Sequence, residues 1–246
     1  MQLIRHAREL ESGGRKVSVA IGMFDGVHLG HQQVIRQAIH DARQHHGVSL
    51  AMTFDRHPAT ILAPDKAPRL IYSLPQKLRE IEALGVDAIL LVDFTREFSQ
   101  IPGEPFVRTL AHDLGQIYSV CVGRTFSFGH KRSGNVALLQ TLGRELGFQV
   151  HGLAAVGLNE QIVSSTRIRE RIAAGDLDAA SQMLGRAYGI LGTVVRGDQI
   201  GRKMGVPTAN VEIDGVLTPP DGVYAAHVRT PDGNVYPAAA NLGVRP

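Results

Sequence analysis

The sequence predicts an α/β chain in which helices cover both faces of a parallel sheet, with a smaller all-β piece after it. Three observations carry that reading. Short apolar runs alternate with longer segments of helical period up to about residue 184. The runs lack the strict apolar and polar alternation of a half-exposed strand, which marks strands buried on both faces. From Gly189 the texture changes to Gly, Pro, Val and Thr without helical period, the mark of hairpins.

The predicted strands are "KVSVAIGMF" (16–24), "VSLAMTF" (48–54), "VDAILLVDF" (86–94), "IYSVCVG" (117–123) and "FQVHGL" (148–153). Between them, "GHQQVIRQAIHDARQHHG", "SLPQKLREIEALG", "GEPFVRTLAHDLG" and "GNVALLQTLGRELG" place apolar residues three and four apart. Most of these end on a glycine that can take the left-handed conformation of a helix terminus. Two more helices follow, "SSTRIRERIAAG" with a Ser/Thr start and "DLDAASQMLG" capped by Asp176. In the last piece "GILGTVVRG", "GVYAAHVRT", the turn "PDGN" and "VYPAAANLG" read as hairpins. A boundary at 185–188 gives one domain over 1–184 and a second over 189–246.

Composition narrows the function classes. With 246 residues the chain can bury a core in each part, and 43% apolar with 20% charged residues excludes a disordered or collagen-like chain. A net charge of +3 without any Lys/Arg block gives no footprint for nucleic acid. The one cysteine, Cys121, lies in a strand, reads as a buried thiol, and cannot form an internal disulfide, which suits a reducing compartment. No apolar run approaches the roughly 18 residues of a membrane span. These features predict a cytoplasmic protein and set no oligomeric state.

The stretch "GMFDGVHLGH" (22–31) lies where the first of these strands gives way to a helix. In a doubly wound sheet, ligands sit outside the C-terminal ends of the strands, at the starts of the following helices. Gly22, Gly26 and Gly30 would let backbone approach a nucleotide closely, and His28 and His31, three apart, offer ring N–H donors to a phosphate. That suits stabilisation of charge on a departing phosphoanhydride group. The plainer alternative is a surface or metal-binding histidine pair.

The stretch resembles the HxGH signature of the nucleotidylyltransferase superfamily, and "VSSTRIRERI" (163–172) resembles its companion motif. Four further blocks sharpen the match: "TFDRHP" (53–58), "FSFGHKRSG" (126–134), "GRKMGVPTAN" (201–210) and "DGVYAAHV" (221–228). All six stand in the order of the prokaryotic bifunctional riboflavin kinase/FMN adenylyltransferases, or FAD synthetases, and cover essentially the whole chain. The resemblance implies a Rossmann-like nucleotidylyltransferase domain followed by an incomplete all-β riboflavin kinase barrel.

In that family a phosphate oxygen of FMN attacks the α-phosphorus of ATP, giving FAD and pyrophosphate. The resemblance then implies that His28, His31 and Arg169 are catalytic. It gives Gly22, Phe24, Asp25, Gly30, Ser164, Ser165 and Thr166 to ATP. It gives Phe54, His57, Pro58, Thr125, Phe126 and Phe128 to FMN. Arg167, beside these on the helix, is as readily a solvated arginine. Two residues depart from the pattern: Arg56 stands where proline is more frequent, and Thr125 stands where an acidic residue or asparagine is usual.

In the second part "PTAN" resembles the kinase signature, which implies that Thr208 and Asn210 contact the Mg²⁺–ATP of riboflavin phosphorylation, with hard oxygen ligands suited to Mg²⁺. The Gly-rich "GDQIGRKMG" could fold over phosphates. The family's kinase half runs on beyond "NLGVRP" and holds its catalytic glutamate there. The expectation is therefore FAD formation from FMN, with riboflavin phosphorylation lost in this chain. The alternatives are a nucleotidylyltransferase for another phosphorylated substrate, a class I aminoacyl-tRNA synthetase fragment, and a non-catalytic flavin or nucleotide sensor.

Overall fold

A computed structural model describes residues 1–197, 208–213 and 215–243. Its centre is a six-stranded sheet of β1 (Gln2–Ile4), β2 (Val17–Ile21), β3 (Val48–Phe54), β4 (Ala88–Val92), β5 (Ile117–Gly123) and, after two short strands β6 (Ser127–Phe128) and β7 (Gly134–Asn135), β8 (Gln149–Leu153). The spatial order is β1-β4-β3-β2-β5-β8 and every pairing is parallel. All five predicted strands are present; β3 and β5 keep their predicted bounds, and β2, β4 and β8 are shorter than predicted. β1 is an addition, a three-residue edge strand with no apolar run to announce it.

Successive strand residues face opposite layers because a strand has period two. Val17, Val19 and Ile21 join Leu50, Met52, Leu90, Val120 and Val122 in one core. That core packs on α5 (Gly103–Leu114) and α6 (Val136–Leu146), which follow the short α2 (Ala59–Leu62), α3 (Leu74–Glu82) and α4 (Arg96–Ser99). Ala20, Ala51, Ile89 and Cys121 face the other layer, with Val34, Ile35, Ala38 and Ile39 of α1 (Leu29–Gln44) and Ile81 of α3. Burial pushes the Cys121 thiol up to about 12, so it is a core residue as expected.

Two helices end on a left-handed glycine as predicted. Gly147 and Gly185 adopt the left-handed conformation after α6 and α8 (Leu177–Leu184), and Asp176 caps α8 by accepting from the Ala179 amide at 3.1 Å. At the end of α1 the positive φ falls on His46 (52°). Gly47 is required there for space, because a Cβ would stand 2.4 Å from the Lys16 carbonyl oxygen.

Beyond α7 (Ser165–Ala173) and α8, the described part of the second piece holds two antiparallel pairs, β11 (Thr193–Val195) with β12 (Asn210–Glu212), and β13 (Gly222–Arg229) with β14 (Val235–Leu242). A small pair, β9 (Gly157–Leu158) with β10 (Gln161–Ile162), precedes α7. The described strands of the second piece do not close into a barrel. Of the motifs read there, residues 198–207 of "GDQIGRKMG" and "GRKMGVPTAN", and Asp214, lie outside the described residues.

The predicted boundary is bridged. Gln76 of α3 donates to the Gly189 carbonyl at 2.8 Å and accepts from the Leu191 amide at 3.1 Å. Further on, Leu217 donates its amide to the Leu70 carbonyl at 2.7 Å, and its side chain packs against the core of α7 and α8.

Candidate active site

Chain order runs outward from β2 through β3 to β4, then returns to β5 and β8 on the other side, so the reversal lies between β2 and β5. A crevice at the C-terminal ends of the strands forms at such a reversal. The loop that leaves β2 there is strained. Phe24 has φ 49°, Gly26 78° and Val27 41°, and for the branched Val27 this is a conformation that only surrounding structure can hold.

Several partners hold it. The Asp25 carboxylate, 4% exposed, accepts from the Ile71 amide at 3.0 Å and the Arg169 guanidinium at 2.6 Å. Ser165 donates its hydroxyl to the Asp25 carbonyl at 3.1 Å. Gln32 and Arg186 both donate to the Val27 carbonyl, at 2.9 and 3.1 Å. The three glycines of the motif answer to the protein's own packing. A Cβ on Gly22 would stand 2.5 Å from the Phe24 ring, one on Gly30 would stand 3.2 Å from the His28 ring, and Gly26 needs its positive φ. Phe24 is 1% exposed and its ring belongs to the core.

His28 is the N-cap of α1, and its Nδ1 accepts from the His31 amide at 3.3 Å. An accepting Nδ1 places the proton of a neutral ring on Nε2. Burial, aided by the Arg186 and Arg169 cations, holds His28 down at about 4. Burial also drives His31 well below the usual histidine range, with His28 and Lys77 acting in the same direction. The two rings are therefore neutral hydrogen-bond donors at neutral pH.

Around them stand the residues of the companion motif. Ser164 caps α7 by accepting from the Arg167 amide at 3.3 Å, and Arg169, one turn on, is fixed by Asp25 and by the Arg69 carbonyl at 2.9 Å. Thr166 is exposed at the helix start. Arg167 turns back to the Ile162 carbonyl and the Gln161 side chain, away from the pair. His57 accepts the Ala59 amide on Nδ1 at 3.1 Å; burial and the nearby Arg169 lower its pKa, while Asp25 raises it. Pro58 begins the short α2.

With this geometry in hand, relatedness is plain. The FAD synthetase family matches residues 11–167 and the riboflavin kinase family residues 184–246. Proteins described as bifunctional riboflavin kinase/FMN adenylyltransferase are similar over the whole chain: 36% identity in Haemophilus influenzae, 35% in Escherichia coli K12 and 36% in Pseudomonas fluorescens, covering 80%, 79% and 78% of those proteins. The chain belongs to the bifunctional riboflavin kinase/FMN adenylyltransferase family. Among solved structures, one described as a macrolide-efflux protein from Streptococcus pneumoniae matches at TM-score 0.82 and 29% identity, over 98% of this chain and 78% of that one. No described helix here is long and apolar enough to cross a membrane.

The aromatic residues read as flavin contacts in this family member belong to a larger seam. Phe54 meets Phe94 and Phe98 edge to face, Phe98 meets Phe106, Phe106 meets Phe128, and Phe126 stacks on Phe128 with ring centres 5.3 Å apart. Phe126 and Phe128 also pack on the core, and Thr125 beside them is exposed. In the second part, Asn210 lies in β12, its amide against the Gly197 backbone, where a Cβ would stand 2.2 Å from Nδ2. Thr208 precedes it, exposed.

Three residues at the site carry no motif signal. Lys77, 4% exposed, donates to the Phe54 carbonyl at 2.6 Å beside the end of β3, and burial lowers its pKa to about 8. Gln32 ties the loop to the Leu184 carbonyl at 2.8 Å. Arg186 comes from the link between the two parts.

Proposed function

We propose that the first part, 1–184, joins ATP to FMN by adenylyl transfer at the His28–His31 pair, with ATP arriving as its Mg²⁺ complex. The observation that supports it most is the neutral, stacked histidine pair at the start of α1, close to the Arg169 cation that Asp25 and the Arg69 carbonyl fix. When the phosphate oxygen of FMN attacks the α-phosphorus, charge passes to the departing pyrophosphate. Nε2–H of His28, the His31 ring and the Arg169 guanidinium are donors placed to receive it. The hydroxyls of Ser164 and Thr166 and the free amides of the first turn of α7, that of Ser165 among them, would hold the phosphates. Asp25 acts through Arg169 and the loop, without touching nucleotide. His57 and Pro58 would meet the FMN phosphate, with Phe54, Phe126 and Phe128 beside the flavin and Thr125 as a polar contact.

The second part would contribute Thr208 and Asn210 to the Mg²⁺–ATP of riboflavin phosphorylation, oxygen donors of the kind Mg²⁺ takes. Both activities use soluble small molecules and fit a cytoplasmic enzyme. Incubation with FMN and Mg-ATP, followed by chromatography and a pyrophosphate assay, tests the first reading. FAD and pyrophosphate in equal amounts are expected, and binding of FMN without either product would make the protein a sensor. Riboflavin in place of FMN reads the second activity: the riboflavin kinase family match over 184–246 supports FMN formation, against the loss expected from the sequence.

A further inference from the structure

The strained loop that presents the histidine pair is gripped from outside the motif by one side chain. Arg186 follows α8, which ends on Gly185 in the left-handed conformation, with the Arg186 amide returning to the Ser181 carbonyl at 3.2 Å. That turn packs on the start of α1, where a Cβ on Gly185 would stand 2.7 Å from the Leu29 side chain. The guanidinium is thereby delivered to the loop. Its Nη2 donates to the Gly26 carbonyl at 2.8 Å, and its Nη1 donates to the Val27 carbonyl at 3.1 Å and the Leu184 carbonyl at 2.9 Å.

The cation is itself held in place. Nε lies 2.8 Å from Glu80 of α3 as an ion pair not aligned for a hydrogen bond. The guanidinium carbon stands 5.1 Å from the centre of the buried Tyr72 ring. Tyr72 in turn follows Ile71, whose amide binds Asp25. A planar fork with fixed N–H directions can hold two successive carbonyls in a left-handed turn, and an ammonium cannot.

We propose that Arg186 is a positioning residue for adenylyl transfer: it fixes the Gly26–Val27 backbone and so sets where the His28 and His31 rings stand against the departing pyrophosphate. It also makes the link between the two parts a component of the first part's site. The inference rests on adenylyl transfer at this histidine pair, and pyrophosphate release by the unaltered protein is the control that separates the two. If that control is silent, the adenylyl-transfer reading fails; if it is active, the variants report on Arg186 alone.

The experiment compares R186A and R186K with the parent in steady-state FAD formation from FMN and Mg-ATP, with thermal unfolding recorded for each. Displacing a reacting group by up to about an ångström costs about ten- to a hundredfold in turnover. The expected result for R186A is that loss in kcat, with KM for ATP and FMN within about threefold of the parent. R186K is expected to recover little, because it keeps the charge without the fork. Added methylguanidine should restore part of the R186A turnover, and methylammonium should not. Turnover within about threefold of the parent in both variants overturns the proposal, as does a loss confined to KM. A loss that follows only the folded fraction, with no response to methylguanidine, also overturns it. Should R186A not fold, R186K alone must show the loss in kcat, and parental turnover in R186K then overturns the proposal.

Discussion

His28 and His31 lie ring on ring, centres 3.6 Å apart and 18° from parallel, while the His31 amide donates to Nδ1 of His28. One imidazole thus serves as helix cap, platform for the other ring and N–H donor at once. These duties can be separated by substitution.

His28→Asn keeps a side-chain acceptor for the start of α1 and removes the ring. Its unfolding midpoint should stay near that of the parent, while FAD formation falls by about a hundredfold. His28→Ala loses the cap as well and should cost about 1 kcal/mol more in urea unfolding. Equal stability of the two variants removes the capping role, and near-parental turnover in both removes the ring from the mechanism.

Acid should weaken the fold through the same pair. Burial holds His28 at about 4, against 6.5 for an ordinary histidine. Between those values the unfolded chain takes up a proton that the folded chain refuses, so stability falls as pH drops through that window. At about 1.36 kcal/mol per pKa unit, His28 alone accounts for about 3 kcal/mol by pH 4, and His31 adds in the same direction. Urea titrations at pH 7 and pH 4 measure the loss, which should shrink in His28→Asn.

In the Asp25–Arg169 pair the carboxylate is buried and the guanidinium half-buried, so removing Asp25 strands the cation. Asp25→Ala leaves Arg169 without its carboxylate and the Ile71 amide without an acceptor. A loss of about 2–3 kcal/mol in urea unfolding is expected, less than for a fully buried pair because Arg169 keeps some contact with solvent. Equal stability of parent and variant would show that water replaces the carboxylate.

Thr125 is exposed, so its replacement should not touch the fold. Thr125→Asp or Thr125→Asn should tighten FMN binding about three- to tenfold in calorimetric titration, the value of one added hydrogen bond, with ATP binding unchanged. Unchanged FMN affinity in both variants would make this departure from the family pattern neutral.

The central strands were legible because burial on both faces leaves runs such as "VSVAI" with nothing polar enough to hide them. β1 was not. Its Leu3 is 49% exposed on the sheet edge, and three residues make no pattern. At the site, the histidine pair and the Ser164–Arg169 segment announced themselves through a glycine-framed loop and a helix start. The opposite held for Lys77, Gln32 and Arg186, long polar side chains at or just beyond helices, where a one-dimensional reading assigns solvent. Their placement comes from tertiary folding, which brings to them carbonyls from the end of β3, the loop after β2 and the end of α8. The same distinction explains the glycines, whose need for space was readable while its cause, Phe24 and His28 packing, was not.

Gln2, Leu3 and Ile4 pair with Ala88, Ile89 and Leu90, a partner made much later than they are. On a ribosome these early residues must therefore wait, unpaired, until β4 has left the exit tunnel and settled beside β3. During that interval β3 is the open edge of the sheet, the surface at which nascent chains stick to one another. The beginning of translation thus supplies the piece that seals the sheet, and a bulky fusion placed before Gln2 would burden a late step of assembly while leaving the early ones untouched.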